Sequence, residues 1–159
     1  MNFPYSEEKR RVPDPAALLE ATVDAVATFA EKELGARRIF LGGKSMGGRM
    51  ASQLVAKGRH AAGLVFLGYP LHPPGRVEQL RDAHLARIAS PMLFIQGTRD
   101  AFARWDLIEA VTSRLPAATL HRVEDGDHSF RVLKRTGRSA ADVEDDIISA
   151  IVRWTGALP

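Results

Sequence analysis

Three short, mostly apolar runs constrain this chain most: Arg38-Ile39-Phe40-Leu41-Gly42, Gly63-Leu64-Val65-Phe66-Leu67-Gly68 and Met92-Leu93-Phe94-Ile95-Gln96. Each leads into a polar or Gly/Pro-rich turn and then a segment of helical periodicity. A strand that is apolar throughout, rather than at every second position, has both faces covered, as in a parallel sheet between helices. A fourth strand is expected over Ala118–Val123. Asp14 is placed to cap and Pro15 to open a helix that carries Leu19, Val23, Val26 and Ala30 and stops at Gly35. Further helices are expected from about Met46 to Lys57, through Val77, Leu80, His84, Leu85 and Ile88, and through Leu107, Ile108, Val111 and Leu115. A last one is capped by Ser139 and aligns Val143, Ile147, Ile151 and Trp154. The pattern predicts an α/β three-layer sandwich with a short, mostly parallel sheet. In such a sheet the loops that follow the strands all emerge at one edge, where open α/β folds place their sites.

The chain of 159 residues is the size of one domain, and residues 1–159 are read as one. Its 45% hydrophobic and 26% charged residues suit a folded globular protein. The net charge of +3 is spread among acids rather than gathered, which argues against nucleic acid as a partner. No stretch approaches the roughly 20 apolar residues of a membrane span. Met1 to Arg11 has no apolar core suited to a signal peptide, so a cytoplasmic setting without membrane contact is expected. The absence of cysteine excludes disulfides, thiolate nucleophiles and Cys-based metal sites.

Gly43-Lys44-Ser45-Met46-Gly47 has the form G-x-S-x-G and stands between a predicted strand and a predicted helix. A turn that tight holds the serine in a strained conformation and exposes its hydroxyl. The backbone N–H of Met46, at the positive end of the helix, can then meet a developing oxyanion. Asp100 lies just beyond the third strand, in Gly97-Thr98-Arg99-Asp100, and His128 just beyond the fourth, in Asp125-Gly126-Asp127-His128-Ser129-Phe130. An imidazole that takes the serine proton needs a carboxylate to fix its tautomer and stabilise the imidazolium. Ser45, Asp100 and His128 are thus the candidate nucleophile, acid and base. Each residue alone has a bland reading as cap, turn or surface residue; their joint placement at three strand ends favours chemistry. His72, in the loop after the second strand, is the alternative base, while Asp125 and Asp127 rank behind Asp100 as partners of His128. Lys44, Tyr69, Leu71, His72 and Phe102 are expected to line the substrate pocket.

The segments Gly42 to Arg49, Leu67 to Gly75, Gln96 to Asp100 and Glu124 to Phe130 resemble the α/β-hydrolase superfamily, in particular a small bacterial branch similar to dienelactone hydrolases. The resemblance covers nearly the whole chain. It implies the C-terminal part of the α/β-hydrolase fold, the triad named above, and cleavage of a small ester, thioester or related acyl bond through an acyl-enzyme, with no cofactor. The family's sheet begins with strands that precede the segment matched by Asn2-Phe3-Pro4-Tyr5, and the loop after one of them donates the second oxyanion-hole N–H. A non-catalytic binding or assembly module on the same scaffold is therefore the other reading.

Gly43-Lys44-Ser45 also ends like a phosphate-binding loop, but the first glycine that motif requires falls on Arg38. His60, His84 and His121 show no ligand spacing, and no metal site is expected. With the family's preceding strands absent, Arg38–Gly42 becomes a sheet edge and the helix after Pro15 keeps apolar residues uncovered, so a homodimer burying that face is expected.

Overall fold

The computed structural model describes residues 1–159. Strands β1 (Phe40–Lys44), β2 (Gly63–Leu67), β3 (Met92–Gly97) and β4 (Ala118–Val123) form one sheet in the order β1-β2-β3-β4, every neighbouring pair parallel. Alternation along the strands feeds two cores. Leu64, Phe66, Met92 and Phe94 point into the larger, which receives Leu19, Val23 and Ala27 of α2 (Ala16–Glu33), Met50, Ala51 and Val55 of α3 (Met46–Ala56), and Ile108 and Val111 of α4 (Trp105–Thr112). Val65, Leu67, Leu93 and Ile95 point the other way, against Val143, Ile147, Ala150 and Ile151 of α5 (Ala140–Gly156). This is a three-layer α/β fold, and a short helix α1 (Pro4–Glu7) precedes it.

The centre of the larger core is aromatic. The Phe66 and Phe94 rings lie 4.7 Å apart, and Tyr69 meets them at 5.3 and 5.6 Å. All three are fully buried. On the opposite face α5 starts with a capping box: Ser139 Oγ accepts the Asp142 N–H and the Asp142 carboxylate accepts the Ser139 N–H. β1 and β4 are the two edge strands, and α2 leaves Leu18, Val26 and Phe29 exposed. No helix is long and apolar enough to cross a membrane.

The elements depart from the sequence pattern in three places. β1 runs two residues further than expected, because Gly42, Gly43 and Lys44 pair with Val65, Phe66 and Leu67. Asp14 does not cap α2, whose N-cap is Pro15; its carboxylate turns back to accept the Tyr5 N–H at 3.0 Å and the Arg10 guanidinium at 2.7 Å. The helix expected through Val77 to Ile88 is absent, and that stretch holds only a 3-10 turn at Leu85–Arg87. The Arg81 N–H goes to the Leu71 carbonyl and the Arg81 carbonyl receives the Tyr69 hydroxyl, so neither Arg81 group is free for a helical ladder.

His84 anchors the same stretch. Ser52 donates its hydroxyl to the Arg49 carbonyl and so accepts from His84 Nε2 at 2.7 Å, which fixes the neutral ring with its proton on Nε2. Burial pushes the His84 pKa below its ordinary 6.5; Arg49 and Arg87 push the same way, while Asp82 and Glu20 oppose them. The unfolded chain therefore takes up this proton before the folded one does. Stability is expected to fall as pH drops from about 6.5 and to level off once the folded value is passed. Urea midpoints measured between about pH 8 and pH 5 should decline more steeply for the wild type than for His84→Gln, and parallel curves would remove His84 as the cause.

Candidate active site

Ser45 sits between the last residue of β1 and the first of α3, at φ 52° and ψ −119°. That conformation is unusual for a residue with a side chain, and it is held from both sides. The Ser45 N–H donates to the Leu67 carbonyl at 3.0 Å, which extends the β1–β2 ladder to the serine itself. The Ser45 carbonyl accepts from Arg49 as α3 begins. The helix can come this close because Gly48 has no side chain: a Cβ there would lie 2.7 Å from the Gly43 carbonyl oxygen. Four non-glycine residues have positive φ, and three of them, Ser45, Asp125 and Phe130, belong to the loops of this site.

His128 Nε2 lies 2.9 Å from Ser45 Oγ, and its Nδ1 lies 2.8 Å from Asp100 Oδ2. The Asp100 side chain is fully buried and the His128 side chain is 21% exposed, so the imidazole bridges the interior and the surface. Asp100 Oδ1 accepts the Phe102 N–H at 2.8 Å, and Oδ2 also accepts from Gln96 Nε2 at 2.5 Å. The Phe102 ring rests against the imidazole, 4.3 Å between centroids. In this line the imidazole can take the serine proton while Oγ attacks, and the carboxylate can stabilise the imidazolium that forms. Met46, as the first residue of α3, has an N–H outside the helical ladder and beside Ser45.

The remaining residues expected at the pocket divide. Lys44 stays at the site, where it donates to the His128 carbonyl at 2.7 Å and sits over the Phe130 ring. Loss of water there lowers its pKa, against the opposing pull of Asp100 and Asp127. Tyr69 and Leu71 correct the expectation: both are fully buried in the larger core, and burial raises the Tyr69 phenol pKa. His72 is corrected as well. Its Nε2 accepts the Arg104 N–H and its Nδ1 meets the Pro73 carbonyl, each at 2.9 Å, so both ring nitrogens are used and the ring is buried. Through its own N–H to the Phe102 carbonyl, His72 holds the loop that carries Phe102. Asp125 pairs with Arg135, and Asp127 accepts the Ser129 and Arg131 N–H groups, so both satisfy turns and neither takes the place of Asp100.

A cleft of about 540 Å³ opens beside Ser45, with walls from Phe3, Tyr5, Val23, Gly43 and Met46. The sequence reading missed Phe3 and Tyr5; two aromatic side chains in an otherwise polar opening segment were the available signal. The Asp14 contacts to Tyr5 and Arg10 hold that segment in place. A larger cavity of about 640 Å³ lies under α5 on the other face, and it reaches Lys44 but not Ser45, Asp100 or His128.

The chain belongs to the alpha/beta hydrolase domain family, whose model matches residues 1–156. Among solved structures it is similar to an alpha-beta serine hydrolase homologue from Coxiella burnetii, with 17% identity over 91% of this chain and 62% of that one, and a TM-score of 0.65. A protein assigned to the dienelactone hydrolases of Klebsiella pneumoniae gives 21% identity, 99% and 68% coverage, and a TM-score of 0.66. A thermophilic esterase from Thermogutta terrifontis gives 18% identity, 88% and 72% coverage, and a TM-score of 0.66. The likeness to these structures is one of fold, and the chain spans only 62% of the length of the first of them.

The site also depends on a close approach of two loops. A Cβ on Gly97 would collide with the Gly126 carbonyl and lie 2.8 Å from the Asp127 carbonyl oxygen, immediately before His128. Gly97→Ala should therefore cost about 1–3 kcal/mol, whereas Gly156→Ala, where an added methyl meets nothing, should change stability by less than about 1 kcal/mol. Urea denaturation of the two variants decides it, and equal midpoints would show that the loops can part without cost.

Proposed function

We propose that this member of the α/β-hydrolase family is a serine hydrolase that cleaves a small ester, thioester or related acyl bond through an acyl-enzyme. The observation that carries the reading is the hydrogen-bonded line from Ser45 Oγ through His128 to Asp100. In the first step Ser45 Oγ attacks the acyl carbon while His128 Nε2 takes its proton, and Asp100 stabilises the imidazolium through Nδ1. The Met46 N–H donates to the carbonyl oxygen as it becomes an oxyanion. The leaving alcohol or thiol takes the proton from His128 and departs. Water then repeats the sequence on the acyl-enzyme, with His128 removing its proton and returning it to Ser45 as the carboxylic acid leaves.

The cleft walled by Phe3, Tyr5, Val23 and Met46 supports a compact, partly apolar acyl substrate. A cytoplasmic setting and a homodimer belong to the same proposal. The unpaired side of β1 and the exposed Leu18, Val26 and Phe29 support the second of these.

A fluorophosphonate probe should label the wild type and not Ser45→Ala. Turnover of p-nitrophenyl acetate should fall at least roughly 10³-fold in Ser45→Ala and in His128→Ala. His72→Ala should keep a substantial part of it, because both nitrogens of that ring serve backbone contacts. Absence of labelling in the folded wild type would favour the reading as a binding or assembly module on this scaffold.

A further inference from the structure

Gln96 stands out in β3. The four residues before it, Met92, Leu93, Phe94 and Ile95, are apolar and buried, and Gln96 is itself fully buried. A side-chain amide in such a place is costly unless it is hydrogen-bonded, and a methionine would fill similar space without that demand. Both bonds the Gln96 amide makes serve the loops of the site. Its Nε2 donates to Asp100 Oδ2 at 2.5 Å, and its Oε1 accepts the Tyr69 N–H at 2.9 Å.

The oxygen that Gln96 touches is the one facing His128, since Asp100 Oδ2 also receives His128 Nδ1 at 2.8 Å. The other oxygen is held by the Phe102 N–H. With a donor on each side the carboxylate cannot rotate about its own bond without breaking one, so the lone pair offered to the imidazole has a fixed direction. Gln96 also draws density from that oxygen and thereby weakens it as an acceptor for His128. We infer that Gln96 is a positioning residue that sets the direction and acceptor strength of Asp100 toward His128, and that links this setting to the β2 loop through the Tyr69 N–H. Its effect on turnover rests on the serine-hydrolase reading; its effect on the imidazole does not.

The test compares wild type, Gln96→Met and Gln96→Glu by thermal denaturation, by the pH profile of fluorophosphonate labelling, and by turnover of p-nitrophenyl acetate. His128 pairs with Asp100, and Lys44 from β1 feels both Asp100 and Asp127; both variants leave these charged and titratable groups in place. In Gln96→Met the carboxylate loses a donor and becomes a stronger acceptor. The acidic midpoint of labelling should rise by roughly half a pH unit, and kcat should drop roughly tenfold to a hundredfold with KM unchanged. In Gln96→Glu the protonated carboxyl can donate to Asp100 and accept from Tyr69 as the amide did. Two carboxyls so close share one proton, so reactivity should approach that of the wild type at low pH and fall as that proton leaves.

Wild-type profiles in both folded variants would overturn the inference and reduce Gln96 to a space-filling residue. Should Gln96→Met fail to fold, the Gln96→Glu profile decides alone, and a wild-type curve overturns the inference. Should the wild type itself not react with the probe, the serine-hydrolase reading fails separately. The positioning role is then decided by NMR titration of the His128 ring in wild type and Gln96→Glu, where a moved midpoint supports it and an unmoved one overturns it.

Discussion

A carboxylate held away from water must find its donors inside the protein, and the fully buried Asp100 side chain finds three: the Gln96 amide, the Phe102 N–H and the His128 ring. These come from the end of β3, from the loop that follows it and from the loop after β4. Satisfying one buried group thus fixes the relative placement of three segments, and the imidazole is brought to Ser45 as part of the same arrangement. The backbone permits this because Gly97 has no side chain to keep the loop through Gly126 and Asp127 away. Any side chain at Gly97 would push the His128 loop outward and leave a buried carboxylate short of a partner.

The sheet supplies the frame for that arrangement. Four parallel strands in chain order put all their carboxyl ends at one edge, so residues far apart in sequence meet there without long excursions. Ser45 and His128, separated by 83 positions, are joined by one hydrogen bond. Strand alternation keeps this edge rigid. Phe66 and Phe94 lock the sheet to α2, α3 and α4 on one face, while Leu93 and Ile95 lock it to α5 on the other.

Much of this was legible in the sequence, because the strands carry their own signal. Apolar runs ending in Gly42 and Gly68, and one closing at Gln96, mark strands that enter turns, and a serine, an aspartate and a histidine each following a strand end point to one edge. The stretch from Tyr69 to Ile88 was not legible. Val77, Leu80, His84, Leu85 and Ile88 have helical spacing, yet the hydrogen bonds that shape this stretch come from Leu71, the Tyr69 hydroxyl and Ser52, which are remote from the window where spacing is read. Tyr69, Leu71 and His72 were misread for the same reason. A loop at the active edge offers no local sign of which side chains turn inward, and all three turn inward to hold the loop down. Gln96 did carry a sign, as a lone amide closing an apolar strand, but only the positions of Asp100 and Tyr69 give it meaning.

His72 joins the loops after β2 and β3, Gln96 joins β3 to both of them, and Asp100 joins β3 to the loop after β4. With those bonds in place the inner side of the site is a single interlocked body, so a displacement at any one loop is opposed by the others. The outer side is built differently. Phe3 and Tyr5 reach the Ser45 cleft from a short segment held by α1 and by the Asp14 carboxylate, outside the network that fixes His128. The groups in line with Ser45 sit in the interlocked part, while Phe3 and Tyr5 are held by the Asp14 carboxylate and by packing on the edge of the larger core. A change at Phe3 or Tyr5 can reshape the cleft without breaking the line from Ser45 to Asp100, because neither residue shares a hydrogen bond with it.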